Sequence, residues 1–176
     1  MTPPRRRTPQ FGCSCGQRAR TEPSEQIEVP KRVYDRAYAS VRFWADELDP
    51  LAVTLALRLP PDHTHRDGEP RVRRVKSGQV KEYAPYRAGL WSMSSKMWVQ
   101  SPRLSVHLDW LLCELEPKAD AVRSLLAAGV EADFFCFSSG STATPPSLPR
   151  AIRERAAALG IEIVIDHYGP SAAQPE

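Results

Sequence analysis

The chain has 176 residues, 41% of them hydrophobic and 26% charged, with a formal charge of +3. That is one ordinary domain's length with enough apolar side chain for a single core, which excludes a multidomain machine. No run approaches the roughly 18–20 consecutive apolar residues that cross a bilayer, and the Arg-rich start lacks the apolar stretch of a secretory signal, so membrane insertion and export are not expected and the cytoplasm is.

Residues 1–32 hold seven basic side chains (Arg5, Arg6, Arg7, Arg18, Arg20, Lys31, Arg32) against Glu22, Glu25 and Glu28, a net of +4, which leaves residues 33–176 at −1. With five prolines and no apolar periodicity, this stretch reads as a flexible basic arm. It is either a weak electrostatic contact for RNA, DNA or an acidic surface, or an extension without structural consequence. Cys13 and Cys15 form a Cys-x-Cys within it, but no second such pair exists to complete a structural zinc site. Distant recruitment of His63 and His65 is conceivable, yet nothing in the spacing favours it. No metal or cofactor is therefore expected. Cys113 and Cys136 fall in apolar segments, where a thiol behaves as a small hydrophobe.

From Tyr38 to Ala45, Ala39, Val41 and Phe43 alternate with Tyr38, Ser40, Arg42 and Trp44, the period of a strand. Asp49-Pro50 then supplies a cap acceptor and a first-turn proline, which predicts a helix of about ten residues ending at Pro60-Pro61, with Val53, Ala56 and Leu57 on one face. Residues 66–87 are polar, with seven basic and three acidic groups, and read as a long basic loop or hairpin insertion around Ser77-Gly78. Ala88–Ser95 is a second strand, with Trp91 and Met93 on one side and Leu90, Ser92 and Ser94 on the other. After Ser101-Pro102, Leu104, Leu108, Leu111, Leu112 and Leu115 mark the cleanest amphipathic helix. Trp110 lies beside that stripe, and His107 and Asp109 are expected at its solvent edge. Pro117 interrupts the run and Gly129 caps its continuation. Val130–Phe137 is a third strand. Leu148, Ile152, Ala156 and Leu159 mark a last helix, and Ile161–Tyr168 a last strand.

This order predicts a two-layer α+β domain over residues 33–170, with about four strands, three helices on one face and a ferredoxin-like flavour. Residues 171–176 read as a disordered tail. The strand order stays open, because helical crossovers permit parallel neighbours.

Period two also assigns a surface. If Ile161, Ile163 and Ile165 face the helices, then Asp166 and Tyr168 project from the other side. The same phase sends Arg42 and Trp44 outward on the first strand, and Asp133 and Phe135 on the third. Aromatic area with orienting charge is the chemistry of a recognition surface, whether for an unknown protein, a small ligand or a second copy of the chain. Coverage by a loop or by the arm is the plainer alternative. Asp133 and Asp166 could act as an acid–base pair, although Arg42 would neutralise them.

Phosphate-binding glycine loops, His-Glu-x-x-His and Gly-x-Ser-x-Gly do not occur. The densest polar cluster is His65, Arg66, Asp67 and Glu69, which could bind a phosphorylated or acidic ligand for hydrolysis or transfer, or could simply close an exposed turn. Asp166-His167 resembles a dyad in one dimension only, since neighbours on a strand point to opposite faces.

Taken together, Asp49-Pro50, His65-Arg66-Asp67-Gly68-Glu69, Gly89-Leu90-Trp91-Ser92, His107-Leu108-Asp109-Trp110-Leu111-Leu112, Leu115-Glu116-Pro117-Lys118, Asp133-Phe134-Phe135-Cys136 and Leu159-Gly160-Ile161 running into Ile165-Asp166-His167-Tyr168 resemble a bacterial family known as domain of unknown function 4279, over about residues 38–168. The resemblance implies a small cytoplasmic domain and brings no catalytic residues. The most direct expectation is a non-enzymatic binding domain using the open sheet face. A small hydrolase or transferase at the His65–Glu69 loop, and weak nucleic-acid binding through the arm and basic loop, are the alternatives.

Overall fold

A computed structural model describes residues 33–170. The expected arm at 1–32 and tail at 171–176 lie outside the described residues. In chain order the elements are β1 (Tyr34–Ala45), α1 (Pro50–Leu57), β2 (His63–His65), β3 (Arg71–Arg74), β4 (Val80–Tyr83), β5 (Gly89–Ser94), α2 (Leu104–Leu115), α3 (Ala119–Ala127), β6 (Glu131–Gly140), α4 (Arg150–Ala158) and β7 (Glu162–Tyr168), with single 3-10 turns at Ser95–Met97 and Glu116–Lys118.

The helices start and stop where the chemistry of their ends dictates. Asp49 accepts a hydrogen bond from the Leu51 N–H and Pro50 opens α1 at no cost in donors. Arg58, in a left-handed conformation at φ 53°, closes it after eight residues. That is shorter than expected, and only Pro50, Val53 and Leu57 are buried, leaving Ala56 exposed. All five leucines of the α2 stripe are buried. Pro117 has no N–H to continue the ladder, so the chain passes through the 3-10 turn before α3 resumes. Gly129, at φ 87°, ends α3, and the Val130 N–H reaches back to the Leu125 carbonyl.

The fold is mixed α/β, with a five-stranded sheet in the order β2-β5-β1-β6-β7 and a separate two-stranded hairpin of β3 and β4. β1 is antiparallel to both its neighbours, whereas β6 and β7, joined through α4, are parallel. Five strands replace the four expected. The addition is β2, three residues pairing antiparallel with β5 at the sheet edge, too short for any periodicity to register. β1 also begins four residues earlier than expected, at Tyr34, where its pairing with β6 shifts register between Tyr34 and Arg36. The insertion is a hairpin, turned at Gly78 (φ 82°) with the Gly78 N–H on the Val75 carbonyl.

One phase of each strand is buried: Ala39, Val41 and Phe43 on β1, Trp91 and Met93 on β5, Phe134 and Cys136 on β6. These pack with the α2 leucines and with Ile152 and Ala156 of α4 in one cluster, which Ile161 enters and which Ile163 and Ile165 flank. Burial of each of the larger of these, the valine, leucine, isoleucine, methionine and phenylalanine side chains, is worth about 1.5–3 kcal/mol. The opposite phase of β7 is exposed, Val164 at 40% and Tyr168 at 58%.

Two expectations about α2 are corrected. His107, expected at the solvent edge, is 1% exposed. Its Nε2 lies 2.8 Å from the Ser101 carbonyl and its Nδ1 2.8 Å from the Ser95 hydroxyl, which also accepts the Ala39 N–H. A carbonyl can only accept, so Nε2 carries the proton and the ring ties the Ser95–Ser101 loop to the sheet. Cys113, expected among apolar groups, is exposed with its sulfur 3.6 Å from the Arg155 guanidinium. Trp110 is partly buried against the core, with Trp98 stacked on it at 6.2 Å. Among the described residues no helix is long and apolar enough to cross a membrane.

Candidate binding face

The second side of the sheet is assembled by register. Arg42 is the Cα partner of Asp133, which in turn pairs with Glu162. The next row holds Ser40, Phe135 and Val164, the next Tyr38, Phe137 and Asp166, and the last Arg36, Ser139 and Tyr168. The six residues gathered from period two thus share this side, but they fall into two groups.

The first group centres on Arg42. Its guanidinium grips Asp133 through both carboxylate oxygens, Nε to Oδ1 at 2.8 Å and Nη2 to Oδ2. The same guanidinium carbon lies 4.5 Å from the Phe135 ring centroid and 5.8 Å from that of Trp44. Under this cover Asp133 is only 6% exposed, although its phase points away from the core. The carboxylate hydrogen bond raises the Arg42 pKa, against the opposing effect of burial. Both Asp133 oxygens are engaged by Arg42 beneath this cover, so the carboxylate is not presented to a substrate for proton transfer. Asp166 lies two rows along the strand, opposite Phe137, so the two aspartates are not an acid–base pair.

The second group joins Asp166 and Tyr168 to residues that the sequence-derived six omit. Tyr38 and Phe137 stack at 4.8 Å with 14° between their planes, and Phe137 lies 5.5 Å from Tyr168. Lys96 places its ammonium 5.4 Å from the Tyr38 ring. Both omitted rings sit on the phase of Arg42 and Phe135, so the same alternation identifies them. Acidic Glu131, Glu162 and Asp166 occupy the β6–β7 half, and Arg36 and Lys96 lie towards β1 and β5.

The loop cluster is largely committed to holding itself together. Arg66 Nη2 pairs with Asp49 Oδ1 at 2.7 Å, which with the Leu51 N–H holds the Asp49 carboxyl below its usual range. Glu69 accepts the Arg66 backbone N–H at 2.9 Å, and the Gly68 N–H and Tyr86 carbonyl close the hairpin base at 2.9 Å. Asp67 is exposed. His65 stacks on Tyr86 at 3.5 Å, and burial pushes its pKa down, reinforced by His63 and opposed by Glu69. A cleft of about 380 Å³ lies between α1 and this loop, lined by Pro50, Leu51, Thr54, Pro61, Thr64, His65, Arg66 and Glu69. Its one guanidinium is already engaged by Asp49, which leaves a phosphate poorly met.

Sequence reasoning missed a serine–histidine contact. Ser138, fully buried on β6, places its hydroxyl 2.8 Å from His167 Nδ1 on the neighbouring strand. His167 Nε2 faces the Thr142 carbonyl at 2.8 Å instead of a carboxylate. This repeats the Ser95–His107–Ser101 arrangement and closes a loop. A buried hydroxyl without access is no nucleophile. Only knowledge of the β6–β7 register could have found it.

Neither a curated protein nor a solved structure matches the chain. The family model described as Domain of unknown function (DUF4279) matches residues 35–170, most of the chain and nearly all of the described domain. The chain belongs to that family.

Proposed function

We propose that the domain is a non-enzymatic interaction module whose contact surface is the sheet face carrying Arg42, Trp44, Asp133, Phe135, Asp166 and Tyr168, extended by Tyr38 and Phe137. On this reading the helices form one layer of a two-layer α+β arrangement of ferredoxin-like flavour and leave that face free. The observation that carries it is the aromatic row Tyr38–Phe137–Tyr168 beside the ring-covered Arg42–Asp133 pair. Large rings and a preformed charge pair on one sheet surface supply contact area at little ordering cost.

The occupant that fits is a second copy of the chain. The face is acidic along β6–β7 and basic at Arg36 and Lys96, and a twofold axis along the strands lays one half over the other, bringing Asp166 opposite the partner's basic side. Sedimentation of the wild type over a range of concentrations tests it. A reversible dimer that Phe137→Glu converts to monomer supports the reading; a monomer at every concentration, or a dimer indifferent to Phe137→Glu, contradicts it.

A second reading rests on the hairpin. Arg71 pairs with Tyr83 and Arg73 with Lys81, so three cations and a phenol share one exposed face. That is a ribbon suited to weak contact with a nucleic-acid backbone. Neutralising Arg71, Arg73 and Lys81 should remove binding to a single-stranded oligonucleotide together with its salt dependence. Binding that survives the change counts against this reading.

A further inference from the structure

We propose that His63 and His65 on β2 form a two-imidazole chelate for a late first-row divalent transition ion such as Zn²⁺, Ni²⁺ or Cu²⁺. Residues two apart on a strand project to the same side, and the pairing of His63 with Ser92 and of His65 with Leu90 fixes that side. His65 Nδ1 lies 3.3 Å from His63 Nε2. Two nitrogens each about 2.0–2.1 Å from a tetrahedral zinc are about 3.3–3.4 Å apart, so the free protein already holds the spacing that the ion requires. The two rings are inclined at 60°, with centroids 5.3 Å apart, and an ion bound by both nitrogens would sit to one side of the line that joins them.

Preorganisation extends behind the pair. Tyr86 stacks on the His65 ring at 3.5 Å and 13°, and the Tyr86 backbone is itself bound to Gly68 and Glu69, so the ring that supplies Nδ1 is held in plane. As the rings stand, the N–H of one points at the lone pair of the other. Binding moves that ring to its other tautomer, so both nitrogens offer lone pairs and no net proton is released. Among the described residues no group of three or more histidine, cysteine or acidic side chains converges, so water completes the coordination sphere. Imidazole-only donation of this kind suits zinc, nickel and copper over magnesium or calcium. His63 and His65 lie at the β2 edge of the same side of the sheet as Arg42 and Trp44, since their partners Ser92 and Leu90 pair with those two residues in turn, so the titration is run at a protein concentration where sedimentation shows monomer.

The test uses the full chain, in wild type and in a Cys13→Ser, Cys15→Ser, Cys113→Ser background that removes the arm thiols and the exposed thiol of α2. Ni²⁺ is titrated by calorimetry, and Co²⁺ is followed by its visible absorption. The expected result is one ion per chain in both backgrounds, without the thiolate charge-transfer band of cobalt in the serine background. His63→Ala and His65→Ala should each weaken binding about tenfold or more, equivalent to about 1.4 kcal/mol. Tyr86→Ala should weaken it less, while Tyr86→Phe, which keeps the stack, should not. The edge position of both histidines lets the variants keep the wild-type circular dichroism. Affinity unchanged in either histidine variant, or binding lost on removing the three cysteines alone, would overturn the proposal.

Discussion

Arg42 holds Asp133 by two hydrogen bonds while its guanidinium carbon lies 4.5 Å from the Phe135 ring centroid, so the aspartate is almost fully covered although the arginine itself stays 35% exposed. Removing one partner of such a pair costs more than removing both. Arg42→Ala takes away both the counter-ion and part of the cover of Asp133, and is expected to lower stability by about 1 kcal/mol. Arg42→Met with Asp133→Leu should recover most of that loss. Urea unfolding of the two variants measures the difference; equal destabilisation would deny the coupling.

The phase of β7 makes an equally direct prediction. Ile163 packs against the core and Val164, the next residue, is exposed. Ile163→Ala should cost about 1–2 kcal/mol, reduced from a full core truncation by its partial exposure, and Val164→Ala about 0.5 kcal/mol or less. Under the opposite register the two values would exchange.

Four of the five strands of the sheet, β1, β5, β6 and β7, and the α2 stripe are readable from the sequence because burial on one side imposes a period, which Phe43, Trp91, Phe134 and Leu108 carry. β2 is not readable: three residues, His-Thr-His, acquire their pairing from β5 and not from any pattern of their own. His107 is instructive. It lies three residues after Leu104 and four before Leu111, so helical spacing places it inside, and only its polarity argues otherwise. The Ser95 hydroxyl and Ser101 carbonyl, which resolve that conflict, are brought to it by tertiary folding. The contact face divides in the same way. Period two assigns each side chain to a face, but whether Asp133 meets Arg42 or Asp166 depends on strand order and register, which the sequence leaves open.

His107 also couples stability to pH. Burial holds its pKa below the ordinary histidine value, with the Ser101 carbonyl opposing. In the unfolded chain the ring takes up a proton near pH 6.5, while in the folded chain it stays neutral to lower pH. The unfolded state therefore binds more protons in that window, and stability falls as pH drops below about 6.5, by at most about 1.4 kcal/mol per pH unit. His107→Gln should be less stable at pH 7.5 yet show a flatter stability profile between pH 7 and 5. A profile as steep as the wild type would assign the dependence elsewhere.

The cysteines should differ in reactivity. Burial, with Asp133 adding to it, pushes the Cys136 thiol up to about 12, whereas Cys113 is exposed. Alkylation of the folded protein followed by peptide mapping should label Cys113 and spare Cys136 until denaturant is added. Labelling of both at similar rates would mean that β6 opens readily.

The central claim is that the sheet face carrying Phe137 and Asp166 meets the same face of a second chain, with acid opposite base. Sedimentation of Asp166→Lys, Lys96→Glu and the double variant at low salt tests it most directly. Each single change should weaken the dimer by placing like charges together, and the double change should restore it. Additive loss in the double variant, or no effect of either single change, would contradict the account.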